Sequence, residues 1–280
     1  MKYRQILDHV VLLFGVFLMM GPLVVAFLTS TYNHVTIHRQ GMQFGWGGQF
    51  LDTYQTVLTQ QGGFSGEITG LLMTQNSIIL GIGFAVGKIV VSMTAAYAIV
   101  YFRFRAGTFF FWVIFLTLLL PLEVRILPSY EVAQQLGLLN SYTGLILPLI
   151  ASATGTFFFR QFFKSVPEEL LEASRIDGAG PIQFFWDILV PLSRTMMAAI
   201  FIIMFVVGWN QYLWPTIMTT EEQYFTLVRG IQSVMQQMIG ADIPYYNEAL
   251  AMAMLAMLPP ALVILIFQRM FIKGLVEQEK

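Results

Sequence analysis

Six apolar runs, each close to the length of a bilayer crossing, decide what this chain can fold into: about 10–28, 77–101, 109–127, 143–163, 196–217 and 250–272. At ~1.5 Å of rise per residue, such runs match ~30 Å of hydrocarbon. Lipid offers the backbone no hydrogen bonds, so only helices or closed barrels cross it, and nothing in these runs alternates like a barrel strand. The expected fold class is an all-α membrane protein with six transmembrane helices, residues 1–280 forming one membrane domain. Composition agrees, since 11% of residues are charged against ~25% in soluble domains. The near balance of 15 basic and 16 acidic residues argues against nucleic acid as a partner. Zero Cys excludes disulfides, thiol catalysis and thiolate metal sites. The first run follows Lys2 and Arg4 and is long for the core of a cleaved leader, so it reads as a retained span.

Orientation follows from the basic residues. Lys2, Arg4, Arg103, Arg105, Arg160, Lys164, Arg175, Arg194, Arg269, Lys273 and Lys280 fall on one side of an alternating six-span path. Arg39, Arg125 and Arg229 fall on the other, and Lys88 lies within a span. This asymmetry places both termini and the 164–195 loop in the cytoplasm, with 29–75, 128–142 and 218–249 outside. The first outer loop is polar and rich in Gly (Gly41, Gly45, Gly47, Gly48, Gly62, Gly63, Gly66) and reads as loosely structured.

The cytoplasmic loop has an ordered grammar. It runs Ser165-Val166-Pro167-Glu168-Glu169-Leu170-Leu171-Glu172-Ala173-Ser174-Arg175-Ile176-Asp177-Gly178 and later Ile188-Leu189-Val190-Pro191. Ser165 with Glu168 fits a capping box, and Pro167 suits a helical first turn. The expected helix, 166–175, offers Leu170, Leu171 and Ile176 for docking, and Asp177-Gly178 supplies a turn. Pro181 opens a second helix ending near Pro191. An amphipathic helix lying on the lipid surface has a similar composition, but it needs no fixed distance between Glu172-Ala173, Gly178 and Ile188-x-x-Pro191.

Polar residues inside apolar runs mark a candidate translocation path. A charge at mid-bilayer costs roughly 2.5–3.5 kcal/mol on insertion scales, so Lys88 needs a wet path or a partner; snorkelling or purely structural pairing is the alternative. Gly81, Gly83 and Gly87 precede it at spacings that permit close helix packing. Glu123 and Arg125 sit between Pro121 and Pro128, either ringing an outer gate or forming an interfacial ion pair. An Arg fork also suits a phosphate. Trp209, Asn210 and Gln211 precede Tyr212 and Trp214, whose rings also fit an interfacial belt. Pro259-Pro260 predicts a break or kink in the last span. His34-x3-His38 lacks a Glu base and does not read as a metal site, and no Gly-x4-Gly-Lys-Ser/Thr cradle for ATP exists. A membrane enzyme acting on lipid phosphates would need a His, Asp or Ser constellation that is not visible.

Glu172, Ala173, Gly178, Ile188 and Pro191 stand at the intervals of the coupling loop of ABC importer permeases, with Ser174 and Val190 in place of Ala and Leu. Through nearly its whole length the chain also resembles the carbohydrate-uptake permease group, and within it those that carry sn-glycerol 3-phosphate. That likeness is strongest in 87–93, 120–126, 151–154, 175–179, 208–215 and 274–277, and weakest in the outer loops. The resemblance implies a type I importer permease, non-catalytic itself. Glu172, Ala173, Ser174, Gly178, Ile188 and Pro191 would couple it to an ATPase. It implies a second, different permease subunit, two ATPase subunits that use ATP and Mg, a periplasmic solute-binding protein and an inner-membrane location. The implied cargo is sn-glycerol 3-phosphate, with glycerophosphodiesters as further candidates. Another sugar, an oligosaccharide or a polyol is the alternative cargo, and an ion-coupled carrier the alternative mechanism.

Overall fold

The computed structural model describes residues 2–60, 68–102, 104–239 and 241–276, with side chains described for these except 2–4, 122, 237 and 269–276. Gly62, Gly63, Gly66, Arg103, Glu277 and Lys280 therefore lie outside the described residues. The helices, in chain order, are α1 (Lys2–Ser30), α2 (His34–Gln40), α3 (Phe50–Thr59), α4 (Gly70–Tyr101), α5 (Gly107–Leu116), α6 (Leu122–Gln135), α7 (Tyr142–Ile146) and α8 (Ala153–Ser165). Then come α9 (Glu168–Ile176), α10 (Pro181–Phe184), α11 (Val190–Leu192), α12 (Arg194–Trp209), α13 (Leu213–Met218), α14 (Leu227–Gln237) and α15 (Tyr246–Val276). The chain clusters into two compact units, 1–76 with 225–259, and 77–224 with 260–280.

Among the described residues, α1, α4 and α15 are long and apolar enough to cross a membrane unaided, and three bent pairs pass the same test together. Each bend has a local cause. Residues 109–127 do not form one helix: α5 tightens into a short 3-10 turn at Thr117–Leu119, and the chain then turns by 108°. Pro121 forces this, because a proline pushes the preceding residue out of the helical region, and Leu120 is extended at φ −93°, ψ 108°. Residues 143–163 break at 150–152, where extended Ser152 caps α8 by accepting from the Gly155 N–H at 3.1 Å. The third pair, 181–192 with 194–209, turns by 72° at Ser193, whose hydroxyl donates to the Leu189 carbonyl at 2.6 Å. Residues 196–217 break separately at Asn210, so that Pro215 falls in the first turn of α13, where its missing N–H costs nothing. Of the break or kink expected at Pro259-Pro260, the break does not occur, and α15 runs through both prolines. Membrane helices tolerate such prolines when local adjustment satisfies the freed carbonyls.

In the first unit, residues 29–60 are built rather than loose, which corrects the sequence expectation for that part of the segment. Three hydroxyl residues end α1 and tie down the Gly-rich segment after it. Thr29 Oγ1 accepts from the Gln43 N–H at 3.0 Å and Thr31 Oγ1 from the Gly47 N–H at 2.8 Å. The Ser30 hydroxyl meets the Tyr54 hydroxyl at 3.1 Å. Burial pushes the Tyr54 phenol above its ordinary pKa, the Ser30 contact opposing it. Phe27, Trp46, Phe50 and Tyr54 pack ring against ring, with Phe50 and Tyr54 centroids 4.5 Å apart. These aromatic contacts give a Gly-rich loop the apolar burial that its composition hides. On the same unit, the Asn76 amide donates to the Phe225 carbonyl at 2.9 Å, joining the start of α4 to the segment before α14.

In the second unit, α4 is the central element. Its glycines admit neighbours where a Cβ would clash: one added at Gly81 would meet Phe205 of α12 at 2.9 Å, and one at Gly83 or Gly87 would meet Ile146 or Ile150 at 2.5 Å. Small residues let helices approach closely in lipid, where packing and not hydrophobicity drives association. Trp214 is wholly buried, not interfacial, and its indole N–H donates to the Gly144 and Leu145 carbonyls at 3.3 and 3.2 Å, fixing α13 to α7.

Candidate functional site

Two sites stand on α4, about 14 Å apart along its axis at 1.5 Å per residue. The first surrounds Lys88, directly after the Gly83–Gly87 stretch. Its side chain is 8% exposed, its Nζ donates to the Ala151 carbonyl at 3.2 Å, and it lies 4.4 Å from the Phe84 ring centroid. A hydrogen bond to a charged group is worth about 1.5–3 kcal/mol, and a partly desolvated cation–π contact about 1–2 kcal/mol. Together these match the insertion cost of a lone ammonium, so Lys88 is tolerated with no carboxylate partner among the described residues. Two of its three donors remain for something else.

That something faces a cavity of about 290 Å³ lined by Lys88, Arg125, Thr117, Ser152, Thr154 and Thr156 among others. The bends described above build it. The turn at Pro121 brings Arg125 from α6, and the break at 150–152 brings Ala151 to Thr154 ahead of α8. Two cations, of which Arg125 is exposed, and four hydroxyls line it beside Val91, Ile114, Leu118 and three alanines, and no carboxylate lines it among the described residues. Of the candidate path residues, this unites Lys88 and Arg125 only. Glu123 is exposed in the first turn of α6 and does not line the cavity. Trp209 is fully buried, stacked on Phe205 at 5.9 Å, and does not line the cavity. Asn210 is exposed at the end of α12, where its amide donates to the Val206 carbonyl at 2.9 Å. Gln211 is half-buried in the break before α13.

The second site is the 164–195 segment. The capping box does not form: α8 continues through Ser165, whose hydroxyl donates to the Phe162 carbonyl at 2.7 Å, and Pro167 is the N-cap of α9 with no side-chain bond. Glu168 and Glu169 still occupy the first turn, where the helix dipole favours acids. The far end is a Schellman turn. The Ala179 N–H reaches the Ser174 carbonyl at 2.9 Å and the Gly178 N–H the Arg175 carbonyl at 3.1 Å. Gly178 sits at φ +80°, open to a residue without Cβ and strained for others.

Burial explains the residue choices. Ser174 is buried at 4% exposure, its hydroxyl returned to the Leu171 carbonyl, so only a small side chain fits. Glu172, Ala173 and Gly178 are exposed, and Ile176 is 85% exposed. The next helix begins with Pro181 at its first position and widens into a π turn at Phe185–Leu189. Pro191 has no N–H to give the carbonyl four residues back, and a widened turn relieves the ring. Ile188 is half-buried in that turn and Pro191 is exposed.

Sequence reasoning missed how this segment is held. The Tyr97 hydroxyl donates to the Pro181 carbonyl at 2.8 Å and the Tyr101 hydroxyl to the Phe163 carbonyl at 3.3 Å. Their rings pack on Phe185 at 5.0 Å and Phe184 at 5.3 Å. Both tyrosines lie four apart on one face of α4. That spacing was the available signal, on the helix that also carries Lys88.

Comparison with known proteins gives one consistent result. The family described as binding-protein-dependent transport system inner membrane component matches residues 77–277. The sn-glycerol-3-phosphate transport system permease protein UgpE of Yersinia pestis bv. Antiqua (strain Antiqua) is 47% identical over 276 residues, covering 99% of this chain and 97% of that protein. The UgpE protein of Pectobacterium atrosepticum is 46% identical over the same length, with the same coverage. Among solved structures, a bacterial ABC transporter involved in the import of the acidic polysaccharide alginate superposes with a TM-score of 0.80. That match has 20% identity and covers 96% of each chain.

Proposed function

The chain belongs to the family of binding-protein-dependent transport system inner membrane components, and from that premise we propose that it is the transmembrane permease subunit of an ATP-driven importer of sn-glycerol 3-phosphate. The near full-length likeness to UgpE proteins supports the cargo. The observation that carries the reading is the cavity that Lys88 and Arg125 share with four hydroxyls and no carboxylate. Such a lining selects an anion, and Arg matches phosphate oxygens in pairs. At about 290 Å³ the space stands at the low end of small-ligand pockets, ~300 Å³ and upward. It suits a triose-sized ester and not an oligosaccharide. Glycerophosphodiesters carry the same headgroup and are a second cargo class.

The assembly we infer contains a second, different permease subunit, two ATPase subunits that use ATP and Mg, and a periplasmic solute-binding protein. Both termini and the 164–195 segment face the cytoplasm. The exposed face of α9, with Glu172, Ala173 and Gly178, meets the ATPase, and buried Ser174 holds that face in place, with Ile188 and Pro191 shaping the helix behind it. Closure of the ATPases on ATP moves α9, and the Tyr97 and Tyr101 contacts pass that motion to α4 and to the Lys88 cavity. Access alternates because each ligand shifts a two-state equilibrium by its differential affinity for the two states.

Proteoliposomes holding the complete assembly test this directly. ATP-dependent uptake of labelled sn-glycerol 3-phosphate, with mass spectrometry of the solute that copurifies, is the expected result. Uptake driven by an ion gradient without ATP, or an oligosaccharide as the copurifying solute, refutes it.

A further inference from the structure

A second basic cavity lies in the same unit, away from Lys88, where α8 ends beside α9. It measures about 310 Å³, and Arg160, Lys164, Thr108, Tyr101 and Glu168 line it. Arg160 and Lys164 are four apart on α8 and share a face. The Arg160 guanidinium lies 3.9 Å from the Phe111 ring centroid, which orients its fork. Its buried Nε has no hydrogen-bond partner among the described residues. That Nε has almost no accessible surface, so a ligand in the cavity would be met by the guanidinium's other donors and by the Lys164 ammonium. Two cations against the one carboxylate of Glu168 make that ligand an anion. The Tyr101 hydroxyl is already committed to the Phe163 carbonyl.

The surroundings identify its source. Beside the cavity, α5 exposes Phe109 (65%), Phe110 (50%) and Trp112 (54%). Trp112 beside basic residues fits the membrane–water interface, where Trp is enriched, and Phe109 and Phe110 add apolar surface for acyl chains. We infer that this cavity binds the phosphate headgroup of an anionic phospholipid, whose acyl chains lie along the exposed face of α5. The diester oxygens meet Arg160 and Lys164, with Thr108 as a further donor. A zwitterionic lipid would set its own ammonium against two cations. A free phosphate would leave the aromatic rim unused. Occupied in this way, the site braces α8 against the first turn of α9, so the inner-leaflet lipid becomes part of the coupling segment's support.

The test uses the intact assembly, exchanged into phosphatidylglycerol or phosphatidylcholine and analysed by native mass spectrometry for retained lipid. Phosphatidylglycerol is expected to stay bound and phosphatidylcholine to be lost. Each of Arg160→Gln and Lys164→Gln is expected to weaken retention about five-fold, since a basic residue near anionic lipid contributes on that scale. Lys164 is exposed, so Lys164→Gln reports even if Arg160→Gln does not assemble. Equal retention in both variants, or equal retention of phosphatidylcholine, overturns the proposal. So does displacement by excess inorganic phosphate, which would assign the cavity to a soluble anion.

Discussion

The Lys88 cavity and the α9 segment are carried by one helix, yet they are held by opposite means. Around Lys88, charge is buried and the apolar surroundings are tight, with Ile146 and Ile150 seated against glycines. Around α9, the fixed groups lie behind the helix: Ser174 is buried, and Tyr97 and Tyr101 grip flanking carbonyls, while the charged and apolar side chains face outward. The first region is finished inward, toward a small anion; the second is finished behind and bare in front, toward a protein surface. On the function proposed above, cargo binding and coupling thus stand at separate places on α4, which lets substitutions address one at a time.

Substitutions can therefore break the comparison from either side. Lys88→Met should have the largest effect. It removes a charge-assisted contact worth about 2–3 kcal/mol, so uptake of sn-glycerol 3-phosphate should fall roughly 30- to 150-fold while the ATPase subunits still copurify. Loss of the ATPase from this variant would merge the two regions. Gly178→Val comes next: a β-branched residue at φ +80° costs roughly 1–2 kcal/mol. Coupled transport should drop about ten-fold with cargo retention unchanged, and normal transport rates in proteoliposomes would remove α9 from the mechanism. Tyr97→Phe deletes one hydrogen bond, about 1 kcal/mol, and should lower cargo moved per ATP a few-fold without altering cargo binding or ATPase assembly. Trp214→Phe is the control with the smallest functional effect. It should cost stability about 1 kcal/mol, seen as an earlier thermal transition of the purified assembly, and leave the transport ratio unchanged.

How far the sequence foretold this depends on the kind of signal. Apolar length announced the helices, since lipid leaves the backbone few options. The Gly178 turn and the Pro181 helix start were legible because glycine and proline restrict the backbone directly. Bends were harder. Pro121 was visible, but only the fold reveals that its turn swings Arg125 toward Lys88 and separates both from Glu123. The Ser165–Glu168 capping box failed because α8 kept Ser165 for itself, a competition between neighbouring helices that local spacing does not register. Trp209 drew attention as an aromatic beside amides, yet its place is decided by Phe205 across one turn of α12. The segment after α1 looked loose because glycines stand out in it, although a few rings and three hydroxyls tie down residues 29–60.

Central to this mechanism is α4 as the carrier of motion between its two sites, and the ratio of sn-glycerol 3-phosphate imported to ATP hydrolysed measures that transmission. In proteoliposomes made with Tyr97→Phe/Tyr101→Phe, hydrolysis is predicted to continue while the ratio falls several-fold below that of the unaltered assembly. An unchanged ratio, with both hydroxyl contacts removed and the assembly intact, would contradict it.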